Sequence, residues 1–211
     1  MHSTKLPPPL IIDDDYNVSI EHFYENFKVG FMDKNKRPRL FGKFIYVNCR
    51  NWIEKKSDTF WHLIAFDEGE SESFNILPCN NDVAQEICPE NCIIKQFSIE
   101  LNTKKRDLCL YRGARINWIS PVIELANKQD PNIQYWRKQE YNFKKRMREG
   151  KTYIRFKHET VDYLIVLAEK YNDNGELNNY HFITAFPVFY LNKKRLYDKD
   201  YLNFINTLEK K

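Results

Sequence analysis

Residues 152–190 read TYIRFKHETVDYLIVLAEKYNDNGELNNYHFITAFPVFY and carry three segments rich in β-branched and aromatic side chains, at 152–158, 162–171 and 180–190. Such segments favour strands. Between the last two lies Asn172-Asp173-Asn174-Gly175, whose Asn and Gly tolerate positive φ, so the pair reads as an antiparallel hairpin. Upstream, 43–49 (KFIYVNC) and 59–66 (TFWHLIAF) add two strand-like stretches. Helical spacing is clearest at 19–31, with apolar or aromatic residues at 20, 23, 24, 27 and 31, Ser19 as N-cap, and Glu21 and Glu25 at the favourable end. Pro121 suits the first turn of a helix over VIELANK. Residues 134–148 (QYWRKQEYNFKKRMR) read as a basic helix, or a helix running into a strand, stopped by Gly150. A final helix is expected over 198–209. The fold class is therefore α+β: N-terminal helices, then a curved antiparallel sheet.

The organisation along the chain is simple. Residues 1–18 form an extended lead with three consecutive prolines and Asp13-Asp14-Asp15, and 19–211 form one domain. The stretch 67–95 is polar, acidic and aperiodic, and reads as an insertion. At 211 residues, with 13 Tyr, 15 Phe and 4 Trp, the chain can bury a core. The net charge of +4 comes from 33 basic and 29 acidic residues, too mild a surplus to identify a nucleic-acid partner by itself. The distribution is more telling: 137–157 is dense in Lys and Arg and holds only Glu140 and Glu149 as acids, while 66–100 is acidic. Such separation gives the molecule a basic face that attracts phosphates. No signal-peptide-like run and no stretch of membrane-span length is present, so a cytoplasmic protein is expected.

The five cysteines, odd in number and irregular in spacing, predict thiols in a reducing compartment. Cys79, Cys88 and Cys92, with Cys109 beyond, could form a four-thiolate zinc site. Only Cys88 and Cys92 have the close spacing such sites favour, so no metal and no cofactor is expected. Walker, dinucleotide, zinc-protease and nucleophile-elbow motifs are absent, as are the clustered carboxylates of a two-metal nuclease.

What remains for chemistry is a set of cations, histidines and hydroxyls. Arg112 and Arg115 lie three apart in RGARINW, and an arginine fork matches two phosphate oxygens at once, although a surface ion pair uses the same residue. His62, in its aromatic run, is either a titrating catalytic group or a structural histidine at a half-buried sheet position. His158 and His181 sit at strand ends. Trp118 is either core or a platform for a base. The basic run that includes Arg155 and Lys157 is either a solvated face or a track for an RNA backbone.

The ordered set GKFIYV, FWHLI, RGARINWISPVIELA, YW, DYLIVL, TAFPV and a basic KKR tail resembles the barnase–EndoU–colicin–RelE-like nucleases, in their bacterial and phage-related, toxin-like branch. The corresponding family motifs read FWHII, R-x-E-R-I-x-W-I-x-P-x-I-E, DYLVVL and TAYPI, and the resemblance spans about residues 20–200. It implies a small barnase- or RelE-like α+β fold whose curved sheet holds the active site, and RNA cleavage without metal. Matched position by position, His62 is the family histidine, Arg115 and Trp118 the R-x-x-W pair, and Thr184 the hydroxyl. Ala114 stands where the family pattern has Glu, and the 67–95 insertion is a second departure.

Transesterification to a 2′,3′-cyclic phosphate needs the 2′-OH deprotonated, phosphorane charge stabilised and the 5′-oxygen protonated. On the sequence, His62 is the base or acid, Arg115 the phosphate clamp, Thr184 a group orienting the phosphate and His158 the second proton-transfer group. Arg112, Trp118, Arg155 and Lys157 are assigned to substrate binding. The expected partners are RNA and an antitoxin or regulatory protein. The alternatives are a nucleic-acid-binding module without catalysis, and a regulatory protein-interaction partner in phage defence or a toxin–antitoxin system.

Overall fold

The computed structural model describes residues 5–67, 98–101, 104–143, 146–159, 161–188 and 191–210. The expected 67–95 insertion, apart from its first residue, lies outside them, as do Cys79, Cys88 and Cys92.

The architecture is a mixed α+β fold built on one five-stranded sheet. Its members are β1 (Ile45–Tyr46), β7 (Ile133–Asn142), β8 (Met147–His158), β9 (Val161–Tyr171) and β10 (Leu177–Pro187), in the order β1-β10-β9-β8-β7. Two smaller sheets pair β2 (Trp52–Ile53) with β3 (Lys56–Ser57), and β6 (Lys104–Leu108) with β4 (Ala65–Asp67) and β5 (Ser98–Leu101). Neighbouring strands from β7 to β10 are antiparallel, whereas β1 adds to β10 in parallel, so the sheet is mixed. The NDNG turn closes β9 onto β10 as its chemistry demands: Gly175 has φ +76° and donates to the Asn172 carbonyl at 3.0 Å, while the Asn172 side chain accepts from the Glu176 N–H at 2.8 Å.

Two expected elements take another form. Residues 59–64 are helical, as the body of α2 (Asp58–Ile64), and only Ala65–Asp67 (β4) is strand. Ser57 caps this helix by accepting the Phe60 N–H, and burial of Phe60, Trp61, Leu63 and Ile64 follows the i, i+1, i+3, i+4 spacing of a helix face. In place of the expected helix over 134–148, residues 134–142 lie in β7 and 147–148 open β8. Trp136 stacks on Tyr153 across the strands, centroids 5.0 Å apart and planes within 6°, a contact that only the strand register provides. The first helix also begins earlier than Ser19. α1 spans Tyr16–Phe27 with Asp15 as its N-cap, and Ser19 is buried inside it, hydrogen-bonded to Asp13.

The sheet is covered on both faces. Ile154, Phe156, Tyr163, Ile165, Leu167, Tyr180 and Phe182 join the main core with α1, α2 and α4 (Ile119–Asn127). Trp136, Tyr153, Leu164 and Val166 form a second cluster, with Tyr197, Tyr201 and Phe204 of α5 (Leu191–Leu208) packed on it. Strand alternation thus makes β9 apolar on both sides. None of the residues of α5 is fully buried, so that helix depends on polar ties as well. Asp198 accepts from Arg155 at 2.8 Å and Lys157 at 2.7 Å, and Asp200 from Lys138 at 2.8 Å. Arg155 itself is fully buried and forks onto Asp162 at 2.7 and 2.6 Å.

Losing Arg155 strands Asp162 without its cation, whereas Lys157 is half-exposed. Arg155→Ala is therefore expected to lower unfolding stability by about 3–5 kcal/mol, and Lys157→Ala by about 0–1 kcal/mol, measured by urea denaturation of each variant.

Candidate functional site

The RGARINW stretch folds into a brace. It comprises the short helix α3 (Leu110–Gly113) and a 3-10 turn (Ile116–Trp118) leading into α4. Arg112 is buried and donates to the carbonyls of Ala65 and His62, both at 3.0 Å, so it finishes the C-terminal end of α2, where carbonyls lack helical partners. Its guanidinium lies 4.7 Å from the Phe66 ring centroid. Arg115 is buried as well, donates to the Tyr111 carbonyl at 3.0 Å and lies over the Tyr111 ring. Trp118 is core: it meets Tyr163 edge-on at 5.5 Å, and its indole N–H donates to the Pro7 carbonyl at 2.8 Å. Gly113 has a packing role, because a Cβ there would come within 2.5 Å of the Phe23 ring.

The structure does not gather the eight residues expected from sequence into one constellation. Arg112, Arg115 and Trp118 converge around Tyr163 beneath the helices, and Arg112 meets His62 at its main-chain carbonyl. His62 is an exposed residue of α2, not a member of a half-buried strand. His158 ends β8 on the main-core face, near Asp130, with a buried Nδ1 that has no hydrogen-bond partner. Thr184 follows a β-bulge that sets it opposite Val166, on the α5 face. Arg112 lies 5.9 Å from the ring centroid of Phe186, two residues along the same face of β10 from Thr184. Arg155 and Lys157, expected to bind substrate, are held by Asp162 and Asp198. Cys109 is buried, and among the described residues no cluster of three His, Cys, Asp or Glu side chains could hold a metal.

A different polar convergence lies at the far end of β9. Glu169 continues the alternation of Tyr163, Ile165 and Leu167, so the backbone carries a carboxylate onto the main-core face. Its side chain is 1% exposed. One oxygen accepts from Arg137 Nε at 2.6 Å and Thr152 Oγ1 at 2.7 Å. The other accepts from Arg137 Nη2 at 2.8 Å and from the Tyr171 hydroxyl. Gly150 makes room for it, since a Cβ there would sit 2.4 Å from Glu169 Oε2. Burial alone would raise the Glu169 carboxyl, but the hydrogen bonds from Arg137, Tyr171 and Thr152 outweigh it and hold the group below its ordinary value. Alongside, burial pushes the phenols of Tyr135 and Tyr180 up.

This cluster is sealed beneath and open above. The Arg137 side chain is 43% exposed, and its Nη1 has no protein partner among the described residues. Arg137, Gln139 and Glu169 line one side of a cleft of about 280 Å³ whose other side is Phe204, Thr207 and Leu208 of α5. A carboxylate held ionised at neutral pH, a half-free guanidinium beside it at the cleft and two hydroxyls hydrogen-bonded around them can accept a proton, clamp an oxyanion and return a proton. The sequence signal for Glu169 is an acid at a position whose parity is otherwise buried and apolar.

Comparison with protein-family models, curated proteins and solved structures finds no match to this chain.

The linkage has a definite sign. Glu169 has a depressed pKa in the folded state, so its contribution to stability is complete above the unfolded value of about 4.3 and is lost as pH falls through the folded pKa. Urea denaturation from pH 7 to pH 2 should show the stability difference between wild type and Glu169→Gln constant above about pH 5 and shrinking below it.

Proposed function

We propose that this chain is a metal-independent endoribonuclease of the toxin type, with Glu169 and Arg137 at its reacting centre. The observation that carries the proposal is the buried, ionised Glu169 carboxylate held by a half-exposed arginine at the mouth of a cleft. The resemblance of the ordered motifs to the barnase–EndoU–colicin–RelE-like nucleases supports the same chemistry, and an antitoxin as the partner that restrains it.

Arg137 Nη1 binds a non-bridging phosphate oxygen, while Nε and Nη2 keep Glu169 aimed. Glu169 accepts the 2′-OH proton as the 2′-oxygen attacks phosphorus. The P–O5′ bond breaks, and the leaving 5′-oxygen takes its proton from Tyr171, whose phenol already touches both Glu169 and Arg137. Glu169 then returns its proton to Tyr171, which leaves a 2′,3′-cyclic phosphate, a 5′-hydroxyl and the starting enzyme. Burial and the Glu169 carboxylate push the Tyr171 phenol up, so it carries its proton at neutral pH and is ready to give it. Arg112, Arg115 and Trp118 act as the scaffold that holds α2 and α4 against the sheet.

Purified protein in excess EDTA is expected to cut single-stranded RNA to products with cyclic phosphate ends. Glu169→Gln should lower the rate by about 10²–10⁴-fold and Arg137→Ala by about 10²–10³-fold. Tyr171→Phe, at a largely exposed position, serves as a variant with little risk to folding. His62→Ala should cut at the wild-type rate. Intact RNA after long incubation with folded wild type overturns the proposal, as does activity lost in His62→Ala and kept in Glu169→Gln.

A further inference from the structure

The hairpin of β7 and β8 outruns the sheet. β8 pairs with β9 from His158 back to Lys151, but its pairing with β7 continues through Gly150↔Gln139 to Met147↔Asn142. The last rungs therefore project as a two-stranded ribbon. Its end carries two aromatic rings that add nothing to either core: Tyr141 is 51% exposed and Phe143 84%, with centroids 5.0 Å apart and planes at 80°. Neither this exposure nor this geometry is needed for the fold, and exposed aromatics grouped at a projection mark a contact surface.

The charges around those rings select the partner. Arg148 stands opposite Tyr141 in the strand register, so both point to the same side, and Arg146 follows at the turn with φ +52°. Both arginines are exposed, and among the described residues neither has a carboxylate partner. In sequence, 144–148 reads Lys-Lys-Arg-Met-Arg, four cations without an acid. The ribbon's two acids, Glu140 and Glu149, alternate onto the opposite side and are taken by Lys151, Tyr153 and Lys170. One side of the ribbon is thus aromatic and cationic, and the other is neutralised.

That aromatic side faces the same way as the candidate site. Arg137, Gln139 and Tyr141 alternate onto one face of β7, and Arg137 to Tyr141 spans about 13 Å, a few nucleotides of an extended strand. We infer that the ribbon tip is a stacking platform for unpaired bases, with Tyr141 and Phe143 receiving bases of single-stranded RNA while Arg146 and Arg148 follow its phosphates toward Arg137. A duplex keeps its bases paired and stacked on each other, so the platform discriminates against it. The inference rests on the ribonuclease reading of the Glu169–Arg137 site and names the substrate class that site receives.

Binding is measured on full-length Glu169→Gln protein, so that cleavage does not intervene. The probes are a fluorescein-labelled single-stranded RNA 12-mer and a blunt RNA duplex of the same composition, read by fluorescence anisotropy. Adding Tyr141→Ala with Phe143→Ala should weaken single-strand affinity by about tenfold to hundredfold. Tyr141→Phe should keep it, and the duplex should bind more weakly and show little response to the alanines. Arg148→Gln should reduce the slope of log affinity against log salt by about 0.7. Single-strand affinity unchanged by the two alanines overturns the platform. So does the same loss for duplex as for single strand, or a dimer of the parent that those alanines convert to monomer with RNA affinity unaltered. If the alanines weaken single-strand binding yet wild type cuts no RNA, the ribonuclease reading falls and the platform stands. If wild type cuts RNA and its Tyr141→Ala, Phe143→Ala variant keeps the wild-type KM, the platform falls and the reacting site stands.

Discussion

A carboxylate placed on a strand buried from both sides must bring a cation with it, and β9 meets that demand twice. Asp162 at its start lies on the α5 face and is held by Arg155, while Glu169 near its end lies on the main-core face and is held by Arg137. Between them the strand is apolar on both faces, so its position in the sheet is specified from above and below. Each ion pair forces its surroundings. Arg155 reaches on to Asp198 and so fixes how α5 crosses the sheet, and Glu169 requires glycine at 150 and hydroxyls at 152 and 171.

The two pairs differ in access, and access separates structure from chemistry. Arg155 is fully buried, with its donors directed at Asp162, Asp198 and Gln134, so no fork remains for a phosphate. Arg137 is open to solvent along much of its side chain and keeps one nitrogen without a protein partner among the described residues. This exposed cation, beside a carboxylate held ionised at neutral pH, is what the proposed reaction draws on.

The other buried arginines show how the same side chain serves architecture. Arg112 collects the carbonyls at the end of α2, and Arg37 does so for the π-helical turn Lys28–Met32, donating to Phe31 and Met32 at 2.5 and 2.6 Å and reaching on to the Ile45 carbonyl of β1 at 2.8 Å. Five fixed donors can satisfy several carbonyls at once, which lets a helix end be buried where water cannot reach it. The likeness of RGARINW to a nuclease motif therefore coexists with a bracing role: Arg112 donates to the Ala65 and His62 carbonyls and lies over Phe66, and Arg115 donates to the Tyr111 carbonyl and lies over the Tyr111 ring.

Local chemistry determined the hairpin at Asn172–Gly175, the strands that flank it, the helix after Pro121 and the α+β class, because turn residues and β-branched runs act over a few positions and need no distant partner. Where periodicity was ambiguous, the outcome depended on contacts far along the chain. TFWHLI became a helix capped by Ser57 and closed by Arg112, and QYWRKQEYN became a strand because Trp136 finds Tyr153. The candidate site was hidden for the same reason. Glu169, Arg137, Thr152 and Tyr171 come from three strands, and nothing in their spacing announces a cluster. A single sequence states which side chains can hold a charge or a proton, but which of them meet, and whether water reaches them, follows from strand register and from which face of the sheet each one takes.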